Sequence, residues 1–324
     1  MRVGLARHVS RIVFVVAFCL AFVGSASTGL AETFERMVIF GDSLSDPGNH
    51  FVAFGITAQP PFAPLPDFPY AIGGHHFSNG PTWAEQLSRA LGMPRSGKPA
   101  LRAPGVFTNY AVGRARARSS APEFPQFDLS AQVQRFLGDV RGHASSNALY
   151  VIWIGANDLD DALIAGQTNP VAAGEIIEAA VTTLAGNVYA LWTAGARNFM
   201  VLNLPDPALA PLVRALPPAV QAAASQAGLL FNGALDAALT QVSGLPGLHL
   251  VRFDVKTVFD QIVATRGDDE LTNVTEPCLS FGVVVHAVCQ HPNHYLFWDG
   301  AHPTKAGHRL IAEAALRVFE DGEE

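Results

Sequence analysis

ALYVIWIGANDLDDALIAGQTNPVAAGEIIEAAVTTLAGNVYALW, residues 148–192, contains the two periods that decide the fold class. Ala148 to Ile154 is a short, unbroken apolar run, rich in β-branched and aromatic side chains, that stops at Gly155; this is the signature of a buried strand. From Val171 to Trp192 the period changes: Ile176, Ile177, Ala180, Leu184, Val188 and Leu191 recur at spacings of three and four and form one apolar stripe of a helix. Met37 to Phe40, Phe199 to Leu204 and Leu248 to Phe253 repeat the strand pattern. Ala219 to Val242 and a segment through Leu310, Ala314 and Val318 repeat the helical one. Strands alternating with helices of this length build a parallel sheet covered on both faces, so the class is α/β.

Two stretches break the alternation. Residues 51–82 are dense in Pro, Gly, Phe and His, and residues 267–298 carry Cys278, Cys289 and three His with no sustained period. Both read as long loops of the kind that line sites. No linker divides the chain, which predicts one domain over residues 32–324. Residues 1–31 read as a signal peptide, with Arg2, Arg7 and Arg11 ahead of an apolar run from Ile12 to Val23 and small residues before Ala31. That run is too short for the roughly 20 residues of a membrane-spanning helix. Removal near Ala31 and a secreted or periplasmic mature chain are expected, and Cys19 leaves with the leader. The net charge is −7, and the leader holds basic but no acidic residues, so the remainder is more acidic still and a nucleic-acid partner is excluded.

Gly41-Asp42-Ser43-Leu44-Ser45 follows the first strand directly, placing Ser43 at a strand-to-helix turn on the carboxyl edge of the sheet, where open α/β folds keep their sites. A serine hydroxyl needs a base within hydrogen-bond reach to become a nucleophile. Asp299-Gly300-Ala301-His302-Pro303-Thr304 supplies one: Asp299 can bind Nδ1 of His302 and leave Nε2 for Ser43. Pro303 suits the first position of the last helix, which makes His302 its expected cap. Gly155-Ala156-Asn157-Asp158 emerges on the same edge, with the Asn157 amide as an oxyanion donor. Asn109-Tyr110-Ala111-Val112-Gly113 offers a backbone N–H as another.

The ordered blocks GDSLSDPGN (41–49), 109–113, GAND (155–158) and DGAHPT (299–304) resemble the GDSL, or SGNH, hydrolase family, over a span from Met37 to about Phe319. Phe77-Ser78-Asn79-Gly80-Pro81-Thr82-Trp83 and Tyr295-Leu296-Phe297-Trp298 look like its branch of secreted lipases, haemolysin-like phospholipases and plant lipase-like esterases. The resemblance implies a flavodoxin-like three-layer α/β/α sandwich with a mostly parallel sheet. It also implies a triad of Ser43, Asp299 and His302, an oxyanion hole from Ser43, Gly113 and Asn157, and neither metal nor organic cofactor. Relatives commonly carry two consecutive Gly where this chain has Gly113-Arg114, which leaves open which of the two N–H groups serves the oxyanion. Arg114, Arg116 and Arg118 alternate as on a solvated strand face.

The expected activity is hydrolysis of a carboxylic ester through an acyl-enzyme on Ser43. A lipid or other hydrophobic acyl ester is favoured by Phe51, Phe54, Phe62, Phe68 and Tyr70 after the nucleophile, and contact with a membrane surface is compatible with that choice. The alternatives on the same triad are a polysaccharide O-acetyl esterase and an acyltransferase; a non-catalytic binding protein is the alternative from another class. The α/β-hydrolase reading fails because Ser45 stands where its motif needs Gly. Cys278 and Cys289 are the cysteines left after the leader departs. An exported chain predicts a disulfide between them, against two free thiols or a zinc site with His291 and His294. Oligomeric state is not legible.

Overall fold

The computed structural model describes residues 34–119, 125–268 and 270–320, together with Met1. The chain divides into units Met1–Leu30 and Ala31–Glu324. The expected signal peptide, its cleavage near Ala31 and Cys19 lie outside the described residues.

Four strands, β1 (Arg36–Gly41), β2 (Ala148–Trp153), β3 (Asn198–Leu202) and β4 (His249–Phe253), form one sheet in the order β1-β2-β3-β4, parallel throughout. All of β2 and β3, and all of β1 after Arg36, are buried. That is why they read as continuous apolar runs: a parallel strand covered on both faces has no polar side to show. β4 is an edge and is mixed, with His249 and Arg252 exposed. Beyond β1, residues 108–112 run extended along the opposite edge. Ile39 N–H donates to the Thr108 carbonyl at 2.9 Å, Tyr110 N–H to Ile39 at 2.7 Å and Val112 N–H to Gly41 at 3.1 Å.

The helices fall into two packed groups, as an α/β/α sandwich requires. α5 (Pro170–Thr193) packs against α3 (Leu129–Asp139), α4 (Ala156–Gly166) and α7 (Pro218–Val242), while α9 (Lys305–Glu320) packs against α2 (Trp83–Ala90) and α8 (Val255–Thr265). α5 starts sharply because Asn169 Oδ1 accepts the N–H groups of Val171 and Ala172 and Pro170 occupies the first turn. Its stripe, including Ile177, Ala180, Leu184, Val188 and Leu191, lies in the main core. The fully buried Leu184 and Leu191 contribute on the order of 1.5–3 kcal/mol each. α5 is long and apolar enough to cross a membrane by length and composition, yet its apolar face is used on the sheet.

Two local expectations change. Residues 267–298 hold a parallel pair, β5 (Asn273–Pro277) and β6 (Tyr295–Phe297), as well as loops. The last helix begins at Lys305, not Pro303. His302 has its carbonyl bonded by Trp298 N–H at 2.7 Å, and Pro303 bridges back to Phe297, so the chain is still turning there. Thr304 takes the cap position, its Oγ1 accepting Gly307 N–H at 3.1 Å.

A smaller core stands apart from the main one. Phe62, Tyr70, Cys278, Leu279, Ala287 and Trp298 form it, closed by a Cys278–Cys289 disulfide.

Candidate active site

Ser43 lies in the turn between β1 and the short α1 (Asn49–Phe54), at the carboxyl end of the sheet. The turn is shaped from within: Asp42 Oδ1 accepts Leu44 N–H at 3.0 Å and the Asp42 carbonyl accepts Ser45 N–H at 3.1 Å. Behind it, buried Asp46 gathers four backbone donors, Gly48 and Asn49 on Oδ1, His50 and Gly113 on Oδ2. Asn49 Nδ2 donates to the carbonyls of Asn109 and Ala111, and Asn109 Nδ2 donates to that of Ser45. Burying these polar side chains is tolerable because they are this fully bonded. Together they fasten residues 109–113 to the serine turn.

The structure brings Ser43, His302 and Asp299 into one hydrogen-bonded line. His302 Nε2 is 2.8 Å from Ser43 Oγ, and its Nδ1 is 2.7 Å from Asp299 Oδ2 and 2.9 Å from Oδ1. Asp299 is fully buried, and its Oδ1 also accepts the N–H groups of Ala301 and His302 while Oδ2 accepts the Tyr70 hydroxyl at 3.0 Å. Burial disfavours the charged imidazolium, but the charge and hydrogen bond of Asp299, helped by Asp42 and Asp160, outweigh it and hold His302 above the usual histidine value. Burial, followed by the Asp299 charge, keeps the Tyr70 hydroxyl protonated. The loop is also anchored to its surroundings: Gly300 N–H donates to Pro64 and Leu212 N–H donates to Gly300, both at 2.9 Å. A side chain at Gly300 would put its Cβ 2.6 Å from the Pro64 oxygen.

Asn157 opens α4 behind Gly155, whose φ of 131° and contact with Phe231, 2.4 Å from a would-be Cβ, admit only glycine. One Asn157 amide hydrogen goes to the Ala115 carbonyl at 2.9 Å, which orients the group, and the amide carries a second. Gly113 departs from its expected place in the oxyanion hole. Its N–H points into the protein, 2.8 Å from Asp46 Oδ2, and its carbonyl lies 3.1 Å from His50 Nδ1. The chain then turns through Arg114, which sits at φ 69°, the left-handed region that the Gly of relatives would enter without strain.

The arginines are not a solvated strand face. No strand runs through residues 113–119. Arg114 Nη1 donates to Asp67 at 2.5 Å. Arg116 makes a two-pronged contact with Asp161 at 2.7 and 2.9 Å, and Arg118 reaches both Asp158 and Asp161. Asp158 Oδ2 accepts Ala117 N–H at 2.7 Å, so the block after Asn157 organises the segment that follows Arg114.

A pocket opens over Ser43, Asn157 and His302, with apolar walls from Leu65, Leu204, Leu209, Leu212, Val213 and Phe259. None of Phe51, Phe54, Phe62, Phe68 and Tyr70 lines it. Phe62 and Tyr70 fill the smaller core, Phe51 stacks on His75, and Phe54 and Phe68 pack around His50. The apolar surface near the nucleophile comes instead from Leu65, from the segment after β3 and from α8. Among the described residues no cluster of His, Cys, Asp and Glu is arranged to hold a metal, and the suggested zinc set fails because both sulfurs are in the disulfide. Sequence reasoning gave no role to Asp46 or Asn49, and counted Tyr70 only among the aromatics after the nucleophile. The first two stand inside the quoted serine block, whereas Tyr70 has no local signal.

The profile of the family described as GDSL-like Lipase/Acylhydrolase matches residues 37–315. The chain is 26% identical to the thermolabile hemolysin of Vibrio parahaemolyticus over 88% of its own length and 64% of that protein's. It is 24% identical to GDSL esterase/lipase 5 of Arabidopsis thaliana, covering 94% of this chain and 89% of the relative. A third similar protein, from the same plant, is named inactive GDSL esterase/lipase-like protein 25 and is 25% identical over 94% and 74% of the two lengths.

Proposed function

The chain belongs to the GDSL-like lipase/acylhydrolase family, a family of ester-bond hydrolases, and from that premise we propose that it is a serine esterase working through an acyl-enzyme on Ser43. The observation that carries this reading is the 2.8 Å contact between Ser43 Oγ and His302 Nε2, with Nδ1 of the same ring held by buried Asp299. The Ser43 proton passes to Nε2 as Oγ attacks the acyl carbon, and Asp299 stabilises the imidazolium that forms. Ser43 N–H, the second Asn157 amide hydrogen and the backbone N–H of Arg114 receive the developing oxyanion. Arg114 replaces Gly113 in this role because the Gly113 donor is engaged by Asp46. His302 then returns the proton to the leaving alcohol. Water, deprotonated by the same imidazole, attacks the acyl-enzyme and releases the acid. This chemistry calls on no cofactor.

The apolar pocket walls support a hydrophobic ester as substrate. Export after removal of residues 1–31 belongs to the same proposal and is supported by the basic and apolar pattern of that segment and by the disulfide. Residues 32–324 then act as a single catalytic domain.

A fluorophosphonate probe and a panel of esters test the proposal. The wild-type chain should be labelled and active, and Ser43→Ala should be unlabelled with turnover reduced by several powers of ten. More than about a hundredth of wild-type turnover in Ser43→Ala would reject Ser43 as the nucleophile.

A further inference from the structure

We infer that Asp160 is a specificity-determining residue that makes the pocket favour esters bearing a positive charge near the scissile bond over neutral and anionic ones. The inference rests on the esterase reading and concerns the same pocket. On α4, residues 157, 160 and 161 follow at three- and four-residue spacing and share a face. The three aspartates of this helix are treated differently. Asp161 takes both Arg116 and Arg118, and Asp158 is buried with the N–H groups of Ala117 and Arg118. Of Asp158, Asp160 and Asp161, Asp160 alone has a side chain that makes no hydrogen bond or ion pair among the described residues, and it lines the pocket with Ser43, Asn157 and His302.

The other acid on the pocket wall is Asp206, whose Oδ1 is occupied by Ala208 N–H and the Ser225 hydroxyl, and the wall's one group able to carry positive charge is His302, which is neutral when it acts as the base. No Lys or Arg lines the pocket. Water reaches Asp160 in the open pocket, and its pKa is raised to about 6 by partial burial first and the neighbouring Asp161 charge second, against the more distant charges of Arg116 and His302. A substrate that fills the pocket displaces the remaining water. An uncharged substrate then leaves a carboxylate dry and unpaired, an anionic one adds repulsion, and a cationic one supplies the missing partner. Low-dielectric walls with charge of one sign concentrate this field on whatever enters.

The test compares esters of equal shape whose terminal group is trimethylammonium, tert-butyl or carboxylate, built once on the alcohol arm and once on the acyl arm. On at least one arm the wild-type kcat/KM should favour the cation over its neutral isostere by about tenfold, a preference that shrinks with added salt. Asp160→Asn should bring that ratio close to one, and Asp160→Glu, which keeps the charge, should restore it. Fluorophosphonate labelling of each variant reports an intact nucleophile independently of the ratio. Equal cation-to-neutral ratios in wild type and Asp160→Asn on both arms would overturn the inference. Failure of the wild-type chain to hydrolyse any ester would instead sink the esterase reading beneath it.

Discussion

The turn that carries Ser43 and the turn that carries His302 are held by different kinds of structure. Ser43 leaves β1, a strand of the main core, and its turn is fixed by backbone bonds to the side chains of Asp46 and Asn49, both fully buried. His302 sits in the turn between β6 and α9: Asp299 and Trp298 precede it, Tyr70 reaches in from residues 51–82, and the disulfide closes the small core that holds Trp298. A site needs both partners in register, yet only the serine side shares the cooperativity of the sheet. The histidine side is therefore the one that should open locally at lower free energy.

Asp299→Asn attacks that side most directly and should lower kcat by about 10³–10⁴, because the amide favours the wrong imidazole tautomer. The pH profile sharpens the test. His302 acts as a base when neutral, and Asp299 holds its pKa above the ordinary value, so wild-type activity falls as pH drops through that raised value. Removing the negative charge lowers the pKa, and the acid limb of the residual activity should move to lower pH. A profile that stays in place would mean that Asp299 does not govern His302.

Asn157→Ala removes a group anchored on neither turn but on α4, and should lower kcat by about 10²–10³ with a smaller change in KM. A change confined to KM would show that Asn157 binds substrate rather than the oxyanion. The smallest effect separates the two sides: reducing Cys278–Cys289 should lower activity roughly tenfold at temperatures where the sheet stays folded, as local loosening predicts. Far-ultraviolet circular dichroism measured alongside activity decides. Simultaneous loss of both would make the small core part of the global fold.

The contrast also explains what could be read in the sequence. β1, β2 and β3 were legible because burial on both faces leaves no choice but apolar runs, and α5 because its apolar stripe recurs from Ile176 to Leu191. Ser43, Asp299 and His302 each stand in a short local motif, and the structure brings the three side chains into contact. What escaped is non-local. β5 and β6 pair across the disulfide loop, and Tyr70 meets Asp299 from far along the chain. The five aromatics after the nucleophile gave the right polarity for a pocket but the wrong address, since apolarity says that a side chain is covered and not by what. At Gly113 the sequence tells that an N–H exists, while its direction depends on Asp46.

Gly300 has a consequence for how this enzyme could change over time. Its N–H holds Pro64 and its carbonyl holds Leu212, while Leu65 and Leu212 are pocket walls and Gly300 stands between Asp299 and His302. Wall and base are thus one stitched unit, and a mutation that enlarges the pocket at Leu65 or Leu212 also strains the loop that aims the imidazole. Specificity and rate cannot drift independently along this side. The freer route to new substrates runs through Leu204, Leu209 and Val213, which shape the same pocket without a backbone bond to the histidine loop.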